Sequence, residues 1–248
     1  MQQTHIYEQI IRARRENRKL IAILLDPDKL QPQEVEGCLK ALDSQEVHLL
    51  LVGGSTVRNG QTQTLVRKIK SLSDLPVVLF PGDYSQITGE ADALLFLNLI
   101  SGRNSEYLIN QQVKAVPLLE DTELEVIPTA YILVDGGVET SVAKVSQTSP
   151  LPADDEQKIL DTAVAGAYMG NKLVYLEAGS GAKNPVPGTL IAELRARIDV
   201  PIIAGGGIRT HEHMAEAFES GADMVVIGTA FEKNPGILKQ ILNDEHIH

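Results

Sequence analysis

A (β/α)8 barrel is the fold class this sequence predicts, on three observations. Short β-branched, apolar runs alternate with amphipathic stretches, a pattern of βαβ units around a parallel sheet. The chain has 248 residues, the length that eight such units occupy in a TIM barrel. The GxGxxG fingerprint of a dinucleotide-binding open sheet is missing after the first strand. No linker, low-complexity run or clear repeat divides the sequence, so residues 1–248 are read as one α/β domain, with 1–20 preceding the first strand.

The elements follow in order. Ile6 to Arg18 reads as a helix, basic at its end. "LIAILLD" is the first strand, "PQEVEGCLKALDS" a helix, "VHLLLVGG" the second strand and "RNGQTQTLVRKIKSL" a helix. "PVVLFPG" is the third strand, but the segment after it, "PGDYSQITGEA", is too short and too broken by Gly and Pro for a full helix, so the third helix is expected to be incomplete. "DALLFLN" is the fourth strand and "SEYLINQQVKAV" its helix; the fifth strand lies within "LEVIPTAYILVDGG", best over Thr129–Val134. A polar segment follows, then the helix "DEQKILDTAVAGAYMG" and the sixth strand "KLVYLEAG". "PGTLIAELRARI", "PIIAGGGI", "THEHMAEAFESG", "DMVVIGT" and "PGILKQILND" complete the alternation.

Composition excludes several classes. Acidic side chains number 33 against 22 basic, a net charge of −11, which is the wrong balance for a nucleic-acid binder. No apolar run reaches the roughly 18–20 residues of a membrane span, and the N-terminus lacks the apolar core of a secretory signal. A cytoplasmic protein is expected. The single Cys38 has no partner for an internal disulfide and reads as a small buried hydrophobe.

Binding groups of a barrel gather at the carboxyl ends of its strands. Those ends carry Asp26, Gly53-Gly54-Ser55, Glu177, Gly205-Gly206-Gly207 and Gly228-Thr229. Glycine-rich turns after the sixth, seventh and eighth strands let backbone N–H groups face a phosphate, and the helix after Thr210 adds a positive dipole end. The bland alternative is that these glycines only make tight turns. Tyr175 and Glu177, two apart, project to one barrel face, where Glu177 can bind a substrate hydroxyl or take its proton. A salt bridge from Glu177 to a loop lysine such as Lys183 is the other reading. Asp26 with Ser55 makes a thin oxygen ligand set that suits Mg²⁺, which takes substrate phosphate oxygens as further ligands; Asp26 as a simple turn cap stays open. His211 and His213 read as solvent-facing, and no His/Cys cluster suggests zinc.

The set "LLDPDK", "LLLVGGS", "LVDGGVETSV", "KLVYLEAGSGA", "IIAGGGI" and "VVIGTAF" resembles the geranylgeranylglyceryl phosphate synthase family, group II-like and including heptaprenylglyceryl phosphate synthases, in order from Ile21 to about Phe231. The resemblance implies a modified barrel with a disturbed third helix. It implies a prenyltransferase that joins the C3 hydroxyl of sn-glycerol 1-phosphate to geranylgeranyl diphosphate, releasing diphosphate in a Mg²⁺-dependent step of ether-lipid synthesis. Asp26 and Ser55 then correspond to Mg²⁺ positions. Tyr175, Leu176, Glu177, Ala178, Gly179 and Ser180, with Gly206, Gly207, Gly228 and Thr229, correspond to the glycerol phosphate site, and the loop continues to Gly181. Glu177 would orient or deprotonate the hydroxyl. "VLFPGDY", "LFLNLI" and "AYILVDG" are candidates for the groove holding the prenyl tail. The resemblance also implies a homo-oligomer, dimer or hexamer, with Tyr168 and Met169 as candidate interface residues. Some members carry Lys where this chain has Leu24. Two rivals remain: another phosphate-binding barrel enzyme, such as an aldolase or sugar-phosphate isomerase, and a non-catalytic phosphate-sensing barrel.

Overall fold

Alternation along the strands decides what faces the barrel axis and what faces the helices. The computed structural model describes residues 5–42, 46–234 and 236–242. Eight strands, β1 (Leu20–Leu25), β2 (Leu49–Val52), β3 (Val77–Leu79), β4 (Ala93–Leu99), β5 (Glu125–Leu133), β6 (Leu173–Glu177), β7 (Ile202–Gly205) and β8 (Met224–Ile227), pair in parallel and in sequence order. β8 closes on β1, with Leu20 opposite Met224. In β6, Leu173 and Tyr175 join the cluster inside the barrel, while Val174 and Leu176 join the outer cluster under the helices. The expected (β/α)8 barrel is the observed fold.

The helices are α1 (Ile6–Arg15), α2 (Val35–Lys40), α3 (Gln61–Lys70), α4 (Gln111–Leu119), α5 (Ser141–Ser146), α6 (Glu156–Tyr168), α7 (Gly188–Arg195), α8 (His211–Glu219), α9 (Thr229–Lys233) and α10 (Ile237–Leu242). None of them is long and apolar enough to cross a membrane. α1 closes the N-terminal end of the barrel: Ile6, Ile10 and Ala13 are buried against its interior cluster, and Glu125 accepts the backbone N–H of Tyr7 at 3.2 Å. α1 stops at Arg15 rather than Arg18 because Asn17 takes a left-handed conformation, φ 53°. After β3 only one tight turn, Tyr84–Gln86, replaces the third helix, as expected.

Other elements differ from the sequence reading as well. β5 begins four residues earlier than Thr129 and runs through Pro128, which sits opposite Phe96 and whose carbonyl accepts from Lys172 N–H at 2.8 Å. α5 lies in the segment read as merely polar; Thr140 caps it, accepting from Ala143 N–H at 3.1 Å. α9 is an extra turn directly after β8. Asp43 and Ser44, and Pro235 with the final residues of the expected closing helix, lie outside the described residues. Cys38 is buried on α2, and burial pushes its thiol up to about 11, as fits an inert side chain.

Candidate active site

Glu177 is the last residue of β6, in register with Leu133 on β5 and Gly205 on β7. Being two residues from Tyr175 it points the same way, and it is only 7% exposed. Its Oε1 accepts the backbone N–H of Gly179 at 2.8 Å. A methyl added to Gly205 would lie 2.5 Å from the Tyr175 hydroxyl and 2.8 Å from Glu177 Oε2, so both polar groups converge over the end of β7. Burial pushes the Glu177 carboxyl up to about 7, against the pull of the Gly179 N–H and the Tyr175 hydroxyl. The Tyr175 oxygen lies beside the carboxylate without completing a well-formed hydrogen bond, and burial raises the phenol well above its usual range. Glu177 forms no ion pair among the described residues, so the Lys183 alternative falls. A buried carboxyl poised near neutrality can accept a proton there.

The turns around Glu177 are conformations that glycine alone adopts freely. Gly179, Gly181, Gly206 and Gly207 have φ of 99°, 77°, 78° and 75°. A methyl on Gly206 would lie 2.6 Å from both Glu177 Oε1 and Gly179 N, so the cradle exists only because no side chain fills it. Ser180 and Thr229 hydroxyls meet at 2.8 Å, joining the β6 loop to the start of α9. Arg209, which sequence reasoning missed although it directly follows the "GGGI" turn, donates to the carbonyls of Gly181 and Ala182.

Tyr175, Glu177, Gly179, Ser180, Gly181, Gly206, Gly207, Gly228 and Thr229 all line one polar pocket, together with Asp26 and Ser55. Leu176 and Ala178 do not: each turns its side chain into the outer core, the necessary consequence of alternation with Tyr175 and Glu177. His211 and His213 are half-buried rather than solvent-facing, and the His211 ring packs 3.0 Å from the Ile241 carbonyl, away from the pocket.

Across the pocket, Asp26 directly follows β1. Its Oδ1 accepts from Asp28 N–H at 3.0 Å, and its Oδ2 meets the Lys29 ammonium at 3.1 Å. Lys29 also reaches Glu232 Oε2 on α9 at 3.0 Å. Burial works to lower the Lys29 pKa, but Glu232 and then Asp26 outweigh it and the net shift is upward. The sequence reading left Glu232 unnoticed, because nothing in the chain around it marks a strand end. Ser55 is positioned by a residue of the broken third helix: the buried Gln86 amide donates to the Gly54 carbonyl at 2.8 Å and its oxygen faces Gly54 N–H at 3.4 Å. Asp26 packs on that same turn, since a methyl on Gly54 would stand 3.1 Å from its carboxylate.

An apolar groove opens from the pocket on the β3–β5 side, lined by Phe80, Leu95, Leu97 and Leu99, as the three quoted segments led us to expect. α4 adds Tyr107 and Ala115 from its approach and its body, and α5 adds Val142 and Val145, neither helix having been assigned to the groove from sequence. Ser55, Phe80, Tyr131 and Val142 border both spaces. Phe80 stacks on Tyr175 with centroids 5.3 Å apart, and Tyr131 meets both rings edge-on at 5.7 and 5.4 Å. Lys172 has its ammonium 5.0 Å from the Tyr7 ring centroid, at the far end of the barrel, so it is not placed to serve as the Schiff-base lysine of an aldolase.

A buried carboxyl set between glycine turns and an apolar groove, at the strand ends of a barrel, suits an enzyme that brings a polar acceptor to an apolar chain, as a transferase of prenyl groups does. The chain belongs to the PcrB family, which matches it over residues 9–245. It is 49% identical to the geranylgeranylglyceryl phosphate synthase of Zunongwangia profunda over 92% of this chain and 97% of that one. With the synthase of the same name from Thermococcus gammatolerans it shares 40% identity, over 94% and 92% of the two chains. Among solved structures, (S)-3-O-geranylgeranylglyceryl phosphate synthase from Thermoplasma acidophilum, in complex with its substrate sn-glycerol-1-phosphate, superposes with a TM-score of 0.89 at 34% identity, covering 96% of each chain.

Proposed function

We propose that this prenyltransferase attaches a geranylgeranyl group to the C3 hydroxyl of sn-glycerol 1-phosphate, with diphosphate as the leaving group. The observation that carries the reading is that the polar pocket holding Glu177 and the apolar groove share a border at Ser55, Phe80 and Tyr131. The glycerol-phosphate complex of the Thermoplasma acidophilum enzyme supports the acceptor, and the name shared by the relatives supports a geranylgeranyl group as what is transferred.

The chain's own residues divide the work. Backbone N–H groups of Ser180 and Gly181 and of the Gly206–Gly207 turn would take the phosphate of the acceptor, with Ser180 and Thr229 hydroxyls beside them, while the Gly179 N–H stays on Glu177. The C–O bond at the allylic carbon breaks, its electron pair leaving with diphosphate; the glycerol oxygen bonds to that carbon, and its proton passes to Glu177. Phe80 and Tyr131 exclude water from the join. Holding both partners in line removes much of the entropic barrier.

Mg²⁺ is proposed as the cofactor. The donor chemistry fits: Asp26 and Ser55 offer hard oxygen ligands on adjacent strand ends, and Mg²⁺ is commonly held by one or two carboxylates plus substrate phosphates. Among the described residues no three His, Cys, Asp or Glu side chains gather to form a fuller cage. When bound, the ion would neutralise charge on the leaving diphosphate. A cytoplasmic homo-oligomer, dimer or hexamer, remains part of the proposal; Tyr168 and Met169, 86% and 68% exposed at the end of α6, are its interface candidates.

The test is transfer of radiolabelled sn-glycerol 1-phosphate into the organic phase with geranylgeranyl diphosphate, with Mg²⁺ or with EDTA. Mg²⁺-dependent extraction, lost in Glu177→Gln and Asp26→Asn, is expected. A folded protein that binds glycerol phosphate but extracts no label with this or longer prenyl diphosphates returns the phosphate-sensing barrel.

A further inference from the structure

Lys29 is held between two carboxylates from opposite sides of the barrel closure, Asp26 on the β1 loop at 3.1 Å and Glu232 on α9 at 3.0 Å. Both acids are well covered, with side chains 16% and 15% exposed, whereas Lys29 is 53% exposed and lines the polar pocket. Only one other basic side chain lines that pocket among the described residues, Arg209, and it is committed to the carbonyls of the β6 loop. Lys29 is therefore the cationic group there whose partners are acids that an incoming anion can replace. Asp28 is no competitor for it, because that carboxylate pairs with Arg58 at 3.3 Å.

We propose that Lys29 binds the diphosphate of the donor directly, and that Glu232 is the positioning residue that keeps its ammonium at the Asp26 end of the pocket. The assignment rests on the prenyl-diphosphate reading of the site. Asp26 alone cannot hold Lys29 and also serve a metal ion without one charge yielding; a second carboxylate lets the ammonium stay beside the metal position when Asp26 turns to other ligands. The diphosphate then meets positive charge from two directions. Lys29 and Mg²⁺ thus compete for Asp26 in the empty site and cooperate once diphosphate arrives.

That relationship gives opposite signs in two binding measurements by titration calorimetry, neither of which needs turnover. Lys29→Met is expected to weaken inorganic diphosphate about tenfold, with or without Mg²⁺. The same substitution is expected to tighten Mg²⁺ alone by several-fold, roughly three, since two unpaired carboxylates now face it. Glu232→Gln is expected to weaken diphosphate about threefold and raise the donor KM, with the glycerol phosphate KM unmoved, and Lys29→Arg to restore part of the affinity. Should Lys29 be only a strap between the β1 loop and α9, both variants lower Tm and leave diphosphate affinity as in the wild type, or weaken Mg²⁺ as well; either result overturns the proposal. Failure of wild-type protein to bind diphosphate overturns it too. Ether formation by a Lys29→Met protein with wild-type diphosphate affinity refutes Lys29 while leaving the transferase reading intact. Absent ether formation with Lys29-dependent diphosphate binding retires the transferase reading alone.

Discussion

The Gly179 N–H donates to Glu177 Oε1 at 2.8 Å, so the carboxylate that ends β6 is fixed by the loop immediately beyond it. This contact orients one oxygen toward the loop and leaves Oε2 over Gly205, beside the Tyr175 hydroxyl. The geometry binds the acid–base behaviour of Glu177 to two named neighbours, and the activity should report both.

Activity should rise with pH through about 7, because a proton acceptor must be ionised and burial holds Glu177 near that value. Tyr175→Phe removes a group that pulls the Glu177 pKa down, so the limb should move to higher pH. The substrate phosphate also titrates near neutrality, but its own titration is not tied to the Tyr175 hydroxyl. Glu177→Gln should cut kcat by about 10²–10⁴. Profiles of kcat/KM from pH 5.5 to 9 for the three proteins decide it; a limb kept at the same pH in the residual activity of Glu177→Gln assigns the titration to the substrate, and a limb unmoved in Tyr175→Phe alone means that the hydroxyl does not act on Glu177.

Stability should follow the opposite course. Glu177 binds its proton more tightly in the folded chain, with a pKa near 7, than at its ordinary value of 4.5. Folding is therefore penalised progressively as pH rises between those values, and the full cost, about 3 kcal/mol as an upper figure, stands above both. Glu177→Gln keeps an acceptor for Gly179 and cannot ionise. It should be more stable than wild type at pH 8 and close to it at pH 4, as read by urea unfolding at both. Equal stabilities at pH 8 would mean that water reaches the carboxylate.

Gly206→Ala tests the cradle. The residue sits at φ 78°, and a methyl would meet Glu177 Oε1 and Gly179 N at 2.6 Å, with backbone unable to yield cheaply. We expect the glycerol phosphate KM to rise at least about tenfold and stability to fall by about 1–3 kcal/mol. Gly37→Ala on α2 is the control, with nothing within 4 Å of the added carbon; helix propensity should make it neutral or stabilising by up to about 1 kcal/mol. Unchanged acceptor KM in a folded Gly206→Ala protein would remove these turns from the phosphate site.

Much of this was legible in the sequence because barrels place function at strand ends, and strand ends are written as apolar runs that stop at Gly, Asp or Glu. Asp26, Ser55, Glu177 and the glycine turns are all of that kind. What escaped was side-chain reach across elements far apart in the chain. Glu232 meets Lys29 over 203 positions, and Gln86 grips Gly54 from the remnant of a helix that the sequence rightly showed to be missing. Leu176 and Ala178 were included with their neighbours because a motif quotes consecutive residues, whereas a strand offers alternate ones to the site. α5 was passed over because six residues carry too little periodicity to stand out, although Thr140 is a recognisable cap. Pro128 stands just ahead of Thr129–Val134, the run that reads best as strand, yet β5 accommodates it and still uses its carbonyl.

The groove side is tested by filling it. Ala115 on α4 is buried at 2% exposure and borders the groove, so Ala115→Phe projects a ring into the space assigned to the prenyl tail. Overpacking of this kind costs about 1–3 kcal/mol, which spent against the tail is roughly a tenfold or greater loss in kcat/KM for a long donor. A shorter prenyl diphosphate, leaving part of the groove empty, should lose less, and the glycerol phosphate KM should stay within about twofold. Val113→Ala, on the exposed face of the same helix at 61% exposure, should change neither constant. Steady-state kinetics with a long and a short donor read the ratio directly. A uniform loss for both donors and for the acceptor would point to a distorted barrel rather than a shortened groove, whereas a loss graded by donor length locates the tail against α4.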